Sequence, residues 1–367
     1  MNTAILKPEE KAIFTLRELY RRCGYLPFKM SKFEEYELYA RNKDFLVSSN
    51  IITFNDKNGR LMALKPDVTL SILKNYTEEK NCTEKVYYNE NVYRPDGSTH
   101  EYKEIPQTGL ECIGEIDTYH IFEVISLAAQ SLAAISDDYV LDLSHLGITA
   151  GILAQADCGE TLEKRIMQCI GAKSKHELQM LLSENGIDGK IVDQLTQLIE
   201  IYAPMEETIE RLSGLCDSEK FTESLKNLKK LCVLLSETDF ADHIRFDFSI
   251  ANDMTYYDSI VFQGYIPGIP ESILSGGQYD NLLHKFNKKG GAIGFAIYLD
   301  LLEHYRKEEY YDADILLIYD DTSSVSEIAK AVKELSADGE RVSAQRAIPE
   351  KLRAKKILEI KNGRVEA

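Results

Sequence analysis

Apolar positions recur with a helical period near the N-terminus and with the denser pattern of buried strands farther along the chain. The first stretch predicts a helix that begins at Pro8 and stops at Gly24, because proline suits a first helical turn and glycine a helix end. The apolar positions of this helix are Ile13, Leu16, Leu19, Tyr20 and Cys23. Later patterns predict a helix over residues 118–136, a short buried strand over 139–143 and a further strand over 244–250. We therefore expect a chain that mixes helices with strands.

Residues 150–242 differ in character from the segments on either side. They are rich in leucine, lysine and glutamate, with few runs of β-branched residues. Their leucines recur at helical spacing, as in Leu178, Leu181 and Leu182 and again in Leu225, Leu228, Leu231 and Leu235. This pattern predicts a helical segment, and we expect the leucine stripes to form its core rather than a surface for a partner.

A third pattern begins after residue 305. It predicts a buried strand over 313–319, a helix over 326–335, and further strands near 341–343 and 357–360. About 60 residues remain in this segment, where roughly 100 are typical of a compact domain. We therefore expect a small β-α-β segment.

Two short patterns carry candidate chemistry. Residues 65–69 read Lys-Pro-Asp-Val-Thr and combine a turn with a carboxylate and a hydroxyl, the groups that an ammonium ion needs at short range. A solvated turn explains the same residues equally well. Tyr256 and Tyr257 form an aromatic pair that could exclude water from a ligand. The isolated His145 has no clustered partners, and we interpret it as structural.

A third pattern of this kind lies in a predicted strand over residues 107–114. Because side chains alternate along a strand, Gln107, Gly109 and Glu111 share one face. Two polar side chains beside a glycine suit a ligand that approaches the backbone closely. A half-exposed edge strand is the alternative interpretation.

Together these patterns resemble the core of a class II aminoacyl-tRNA synthetase of the histidyl type. The patterns of that family read roughly G-R-x-x-x-L-R-P-E-x-T, Q-x-G-x-E, L-V-R-G-L-D-Y-Y-T, G-G-R-Y-D and A-I-G-F-A-I-G-x-x-R-L. The corresponding segments here begin at Gly59, Gln107, Ile250, Gly276 and Ala292. The scaffold residues persist, whereas the arginine positions hold Asn252, Gln278 and Leu301, Lys65 and Asp67 replace an arginine and a glutamate, and Thr255 replaces an aspartate.

The resemblance covers about residues 8–302 and implies an α+β fold. It implies a class II synthetase-like core, with a mostly antiparallel sheet flanked by helices, in residues 1–149 and 243–305. A helical insertion would occupy residues 150–242, and a truncated C-terminal α/β remnant would occupy residues 306–367. Residues 24–34 resemble the first motif of class II enzymes, which implies a homodimer through the core.

The resemblance also implies a binding site for histidine. Asp67 and Thr69 would hold its ammonium group, and Arg94 would hold its carboxylate. Gln107, Glu111, Tyr256 and Tyr257 would reach the remainder of the ligand. The resemblance implies no metal and no cofactor.

The missing arginines bear on activity, because adenylation depends on fixed positive charge around the phosphates. Asn252 and Leu301 cannot supply that charge, and the loop at residues 95–101 is acidic or neutral apart from His100. We therefore expect no catalytic residue in this chain, while the groups for an amino acid are kept.

This combination resembles the regulatory subunits of ATP phosphoribosyltransferase, the first enzyme of histidine biosynthesis. The resemblance implies a partner, the short catalytic chain, which this protein would activate and make sensitive to feedback inhibition by histidine. The histidine could bind in the synthetase-like pocket or at the interface between subunits. A free-standing histidine-binding paralogue and, less in keeping with the lost arginines, an active histidyl-tRNA synthetase are the alternatives.

The net charge of the chain bears on whether it binds tRNA, and its cysteine content bears on its cellular compartment. The 367 residues carry a formal net charge of −17, which weighs against a surface for tRNA, because such a surface must neutralise phosphates. The seven cysteines are dispersed and contain no C-x-x-C pair, as in reduced cytosolic proteins. The sequence lacks a long apolar run and an apolar N-terminal signal. We expect a cytoplasmic protein that binds no membrane.

Overall fold

The computed structural model describes residues 6–46, 50–95, 101–156, 158–250, 256–304, 311–361 and 364–366. The chain divides into two compact units, Met1–Tyr305 and Arg306–Ala367. The helices of the first unit are α1 (Pro8–Arg22), α2 (Tyr36–Ala40), α3 (Thr69–Asn75), α4 (Thr118–Ala133), α5 (Leu146–Leu153), α6 (Glu160–Gly171), α7 (Lys175–Glu184), α8 (Gly189–Ile199), α9 (Met205–Leu212), α10 (Glu219–Ser236) and α11 (Asp280–Lys285). Short 3-10 helices cover Lys43–Phe45, Ala241–His243 and Leu299–His304.

The strands of the first unit form two sheets. They are β1 (Leu26–Pro27), β2 (Phe33–Glu35), β3 (Thr53–Asn55), β4 (Leu61–Leu64), β5 (Thr83–Pro95), β6 (Tyr102–Gly114), β7 (Val140–His145), β8 (Tyr202–Ala203), β9 (Ile244–Asp247), β10 (Ile260–Tyr265), β11 (Leu274–Gln278) and β12 (Gly291–Tyr298). Nine of them form the main sheet in the order β1-β5-β6-β12-β11-β10-β7-β9-β8, and the other three form a small sheet, β2-β4-β3. The β1–β5 and β7–β9 pairs are parallel, and the remaining neighbours in the main sheet are antiparallel.

The alternation of side chains gives the main sheet two different faces. Leu110 and Cys112 of β6 belong to the apolar core that α1 and α4 share with this sheet, together with Ile293 and Phe295 of β12. The intervening residues point to the opposite face, because successive side chains of a strand alternate. A second apolar cluster lies around α3, and it includes Leu70. A mostly antiparallel sheet flanked by helices confirms the predicted α+β fold.

Helix α4 shows how local sequence fixes the helix ends. Asp117 lies at its N-cap, and its carboxylate accepts a hydrogen bond from the His120 backbone N–H at 3.0 Å. Such a cap satisfies one of the free N–H groups of the first helical turn. The helix begins at the predicted residue 118 and ends at Ala133, three residues before the predicted end at residue 136.

Helices α6 to α10 occupy the leucine-rich segment. The leucines at helical spacing are buried, which confirms that they form core rather than a free surface; they are Leu178, Leu181, Leu182, Leu225, Leu228, Leu231 and Leu235. The segment is not purely helical, because Tyr202 and Ala203 form β8 and pair with Asp247 and Phe246 of β9. His145 is buried at the N-cap of α5, where its Nδ1 accepts the Gly147 N–H at 3.2 Å, and burial lowers its pKa to about 4. A neutral ring in that position is structural, as predicted.

The second unit contains β13 (Ala313–Tyr319), α12 (Val325–Leu335), β14 (Val342–Gln345), β15 (Ala354–Lys361) and β16 (Arg364–Glu366). Its sheet has the order β14-β13-β15-β16, with β13 parallel to both of its neighbours. Ser324 and Glu327 form a capping box at the start of α12. Leu317, Ala331 and Ile360 form its small core. Within the ranges described above, neither unit contains a helix long and apolar enough to span a bilayer.

Candidate functional site

A cleft lies on the face of the main sheet that α1 and α4 leave uncovered. Its volume is about 780 Å³, including the solvent at its mouth. Strands β6 and β12 form the floor, where Glu111 pairs with Gly294 and Gly109 with Ala296. Strand β11 continues this floor with Ser275, which pairs with Ala296. Small residues at these positions leave room for side chains and a ligand above the backbone.

The Lys-Pro-Asp-Val-Thr segment forms one wall of the cleft. It ends in the first turn of α3, where the Leu70 N–H donates to Asp67 Oδ1 at 2.9 Å. Asp67 is buried, and burial raises the pKa of its carboxyl while the nearby Arg94 opposes that shift. At the start of the segment the buried Lys65 side chain reaches the main sheet, where its Nζ donates to Glu90 Oε2 of β5 at 2.5 Å. At the other end of the segment the Thr69 hydroxyl donates to Glu111 of β6, so both ends are bonded to the sheet.

Glu111 is the central polar group of the cleft and is almost completely buried. Its Oε1 accepts a hydrogen bond from Thr69 Oγ1 at 2.8 Å, and its Oε2 accepts one from the hydroxyl of Tyr279. Burial raises the pKa of Glu111 to about 8, although the hydrogen bonds from Tyr279 and Thr69 lower it. A further hydrogen-bond donor would stabilise the ionised form of this carboxyl group. The site is therefore suited to a ligand that supplies an N–H or O–H donor.

Aromatic rings form the opposite wall. Tyr256 contacts Tyr257 edge to face, with ring centroids 4.7 Å apart, and Tyr279 at 5.8 Å. Phe45 extends the series, with its centroid 6.2 Å from that of Tyr256. The Tyr257 ring lies over Gly277, where an added Cβ would stand 2.6 Å from its Cδ1. These rings shield the interior of the cleft from water.

Arg94 and Gln107 complete the polar lining. The Arg94 Nε donates to the Pro66 carbonyl oxygen at 2.6 Å, and its terminal nitrogen lies 3.8 Å from Asp67 Oδ2. Gln107 is buried on β6 and lines the same cleft. Together with Asp67 and Glu111, the cleft thus offers two carboxyl groups and one guanidinium to a ligand.

All seven predicted site residues line this one cleft: Asp67, Thr69, Arg94, Gln107, Glu111, Tyr256 and Tyr257. The structure adds Tyr279, which lies in the segment that corresponds to G-G-R-Y-D, and it also adds Tyr88, Tyr298 and Phe45. An aromatic residue kept inside the Gly-Gly-Gln-Tyr-Asp pattern was the available signal for Tyr279. Asn252, Thr255 and residues 96–100 of the acidic loop lie outside the described residues. Among the residues that are described, no three His, Cys, Asp or Glu side chains form a group that could hold a metal ion.

Three comparisons with known proteins agree with this architecture. The family model for histidyl-tRNA synthetase matches residues 5–302. The chain is 28% identical over 294 residues to an ATP phosphoribosyltransferase regulatory subunit of Clostridium kluyveri, covering 78% of this chain and 74% of the relative. It is 26% identical over 282 residues to the protein of that name in Oceanobacillus iheyensis, covering 76% and 69%. A histidine–tRNA ligase of Methanocaldococcus jannaschii is 28% identical over 352 residues, covering 94% and 80%.

Solved structures show the same fold. An ATP phosphoribosyltransferase regulatory subunit/histidyl-tRNA synthetase from Bacillus halodurans superposes with a TM-score of 0.75 at 22% identity, covering 96% of this chain and 93% of that one. A chain of the Thermotoga maritima ATP phosphoribosyl transferase (HisG:HisZ) complex gives a TM-score of 0.62 at 20% identity, covering 79% and 97%. The chain belongs to the histidyl-tRNA synthetase family, and its predicted similarity to ATP phosphoribosyltransferase regulatory subunits is confirmed.

Proposed function

We propose that this chain is the regulatory subunit of an ATP phosphoribosyltransferase. It has no catalytic activity of its own, activates a short catalytic chain and carries feedback inhibition by histidine. The observation that supports this proposal most is the Glu111 cleft, which offers carboxyl groups and a guanidinium to an amino acid, in a chain similar to proteins that bear this name.

The chemistry of the cleft suits histidine as the effector. A free histidine brings an ammonium group, a carboxylate and an imidazole with an N–H donor. Asp67 and Thr69 can receive the ammonium group, Arg94 the carboxylate, and Glu111 the imidazole N–H, which supplies the donor that this buried carboxyl needs. Gln107 and the rings of Tyr256 and Tyr257 then enclose the ligand.

Regulation follows if histidine binds one state of the assembly more tightly than another. The effector can shift the balance only by its difference in affinity for the active and the less active state. The partners in this proposal are the short catalytic chain and a second copy of this chain, joined through the core, within a hetero-oligomer. Neither tRNA nor a membrane is a partner, and the assembly acts in the cytoplasm.

The test is the formation of phosphoribosyl-ATP by the cognate short catalytic chain, with and without this protein and with histidine added in steps. We expect activity that requires this chain and falls as histidine rises. A matched control adds Glu111→Gln, which should still activate the catalytic chain while inhibition needs more histidine. If the protein does not stimulate its cognate catalytic chain, the regulatory proposal is wrong. Histidine binding without stimulation would instead favour a free-standing histidine-binding protein.

A histidyl-tRNA synthetase is the second candidate, because a relative of that name is 28% identical over 352 residues. Exchange of pyrophosphate into ATP that depends on histidine measures the first step of that reaction. We expect no exchange, since Leu301 and Gln278 occupy positions where the synthetase pattern has arginine. Measurable exchange would contradict the absence of catalytic activity.

A further inference from the structure

The cleft floor changes abruptly along β12. The residues of this strand that face the cleft are Gly294, Ala296 and Tyr298, and they pair with Glu111, Gly109 and Gln107 of β6. The first two positions are small and the third carries a phenol. Alternate residues of a strand lie about 7 Å apart, so the methyl group of Ala296 and the aromatic ring of Tyr298 are separated by only that distance along the floor.

Side chains of the protein already cover part of the small floor. The Glu111 carboxylate lies over Gly294, and the Tyr88 hydroxyl lies over Gly109, where an added Cβ would stand 2.6 Å from it. The open floor is therefore Ala296 with its partner Ser275. At one end of this open floor lies Glu111, which covers Gly294. At the other end, two residues beyond Ala296 along β12, lies the half-buried ring of Tyr298.

The charges of the cleft orient a ligand along this floor. Strand β5 runs antiparallel to β6, so that Val86 lies opposite Glu111 and Glu90 lies opposite Gln107. Arg94 follows Glu90 on β5 and therefore lies farther along the sheet in the direction that leads from Glu111 to Gln107. Arg94, the guanidinium that lines the cleft, thus lies toward the end at which Tyr298 stands. A histidine whose imidazole reaches Glu111 directs its carboxylate to that end.

We propose that Tyr298 limits the ligand of this cleft to a free amino acid and excludes histidine derivatives that are extended at the carboxyl group. This inference rests on the proposed binding of histidine in the cleft. Tyr298 occupies the position at which the synthetase pattern A-I-G-F-A-I-G has its second glycine. The residue therefore sets the specificity of the site by the space that its ring fills.

The probe is a stable analogue of histidyl-adenylate in which a sulfamate joins histidine to adenosine. Its acylsulfamate group keeps a negative charge next to the histidine moiety, so weak binding cannot be ascribed to a lost carboxylate. Calorimetry would compare histidine with this analogue on the wild-type protein, Tyr298→Phe and Tyr298→Gly. Tyr298→Phe is the matched control, because it keeps the ring and removes only the hydroxyl.

We expect the wild-type protein and Tyr298→Phe to bind the analogue at least a hundredfold more weakly than histidine. Tyr298→Gly should bind the analogue at least tenfold more tightly than the wild-type protein does, so that the preference for histidine over the analogue narrows at least tenfold. Tyr298→Ala provides the same test if the glycine variant does not fold. Wild-type protein that binds the analogue as tightly as histidine would overturn the proposal, as would small-residue variants that bind histidine normally without any gain. Absence of histidine binding by the wild-type protein would instead contradict the proposed function.

Discussion

The carboxylate of Glu111 lies directly over Gly294 of the neighbouring strand. A Cβ on Gly294 would stand 1.8 Å from Glu111 Oε2 and 2.4 Å from the Leu110 carbonyl oxygen, distances that no real contact allows. Gly294→Ala must therefore displace the carboxylate from Thr69 and Tyr279. We expect the affinity for histidine, measured by calorimetry, to fall roughly thirtyfold, equivalent to about 2 kcal/mol.

Gly189→Ala is the control for this substitution. Gly189 begins α8 and has nothing within 4 Å of an added Cβ. Its affinity for histidine should equal that of the wild-type protein. Equal histidine affinity in Gly294→Ala would show that the ligand does not depend on Glu111.

Glu111 should also make the binding of histidine depend on pH. Burial raises its pKa to about 8, so the free protein holds the proton at pH 7, whereas an imidazole N–H added to the hydrogen bonds from Thr69 and Tyr279 stabilises the anion. Binding then releases a proton, and the affinity should rise by up to about tenfold per pH unit between about pH 6.5 and 8 and level off above that. Calorimetry in two buffers with different ionisation heats measures the released proton.

Glu111→Gln tests the same assignment, because the amide cannot titrate. We expect weaker binding and no dependence on pH between about pH 7 and 8, because the ordinary pKa of the histidine ring, about 6.5, lies below that range. A slope that persists in Glu111→Gln would assign the proton to another group.

Tyr279 should matter for the ligand although it was not among the predicted site residues. Its hydroxyl donates to Glu111 Oε2, and this bond lowers the pKa of Glu111. In Tyr279→Phe we expect the affinity for histidine to fall about fivefold, equivalent to about 1 kcal/mol, and the midpoint of the pH dependence to move upward. Tyr265→Phe is the control, because the Tyr265 hydroxyl donates to Gln263 at 2.7 Å, outside the cleft lining. Similar losses in both variants would point to a general effect on the fold.

The buried ion pair of Lys65 and Glu90 should hold the binding segment in place. The Lys65 side chain is 0% exposed, and removing it would deprive the Glu90 carboxylate of the ammonium group that balances its charge. We expect Lys65→Met to lower the free energy of unfolding by about 3 kcal/mol in denaturant titrations, with partial recovery in the double variant Lys65→Met with Glu90→Gln. Arg41→Met removes an exposed pair with Glu37, and it should cost about 0.5 kcal/mol or less. Equal effects of the two single substitutions would contradict this role.

The sequence predicted the elements that repeat with a clear period and the residues that share a face. Gln107 and Glu111 could be assigned to one face because alternation along a strand is a local property. Tyr279 could not be assigned to Glu111, since the two residues meet only through the pairing of distant strands. The composition of the stretch from Phe45 to Phe54 is typical of strands, yet the described part of it includes the end of a 3-10 helix and only the start of β3. Its pairing in the small sheet depends on β4, which a local pattern does not show.

The two outer strands of the main sheet are both very short, and both adjoin a proline. Strand β1 is Leu26–Pro27, and β8 is Tyr202–Ala203, with Pro204 directly after it. A proline has no N–H to offer to another strand, and a strand of two residues presents little backbone for pairing. Each of these two outermost strands is therefore a poor template for pairing with a strand of another molecule.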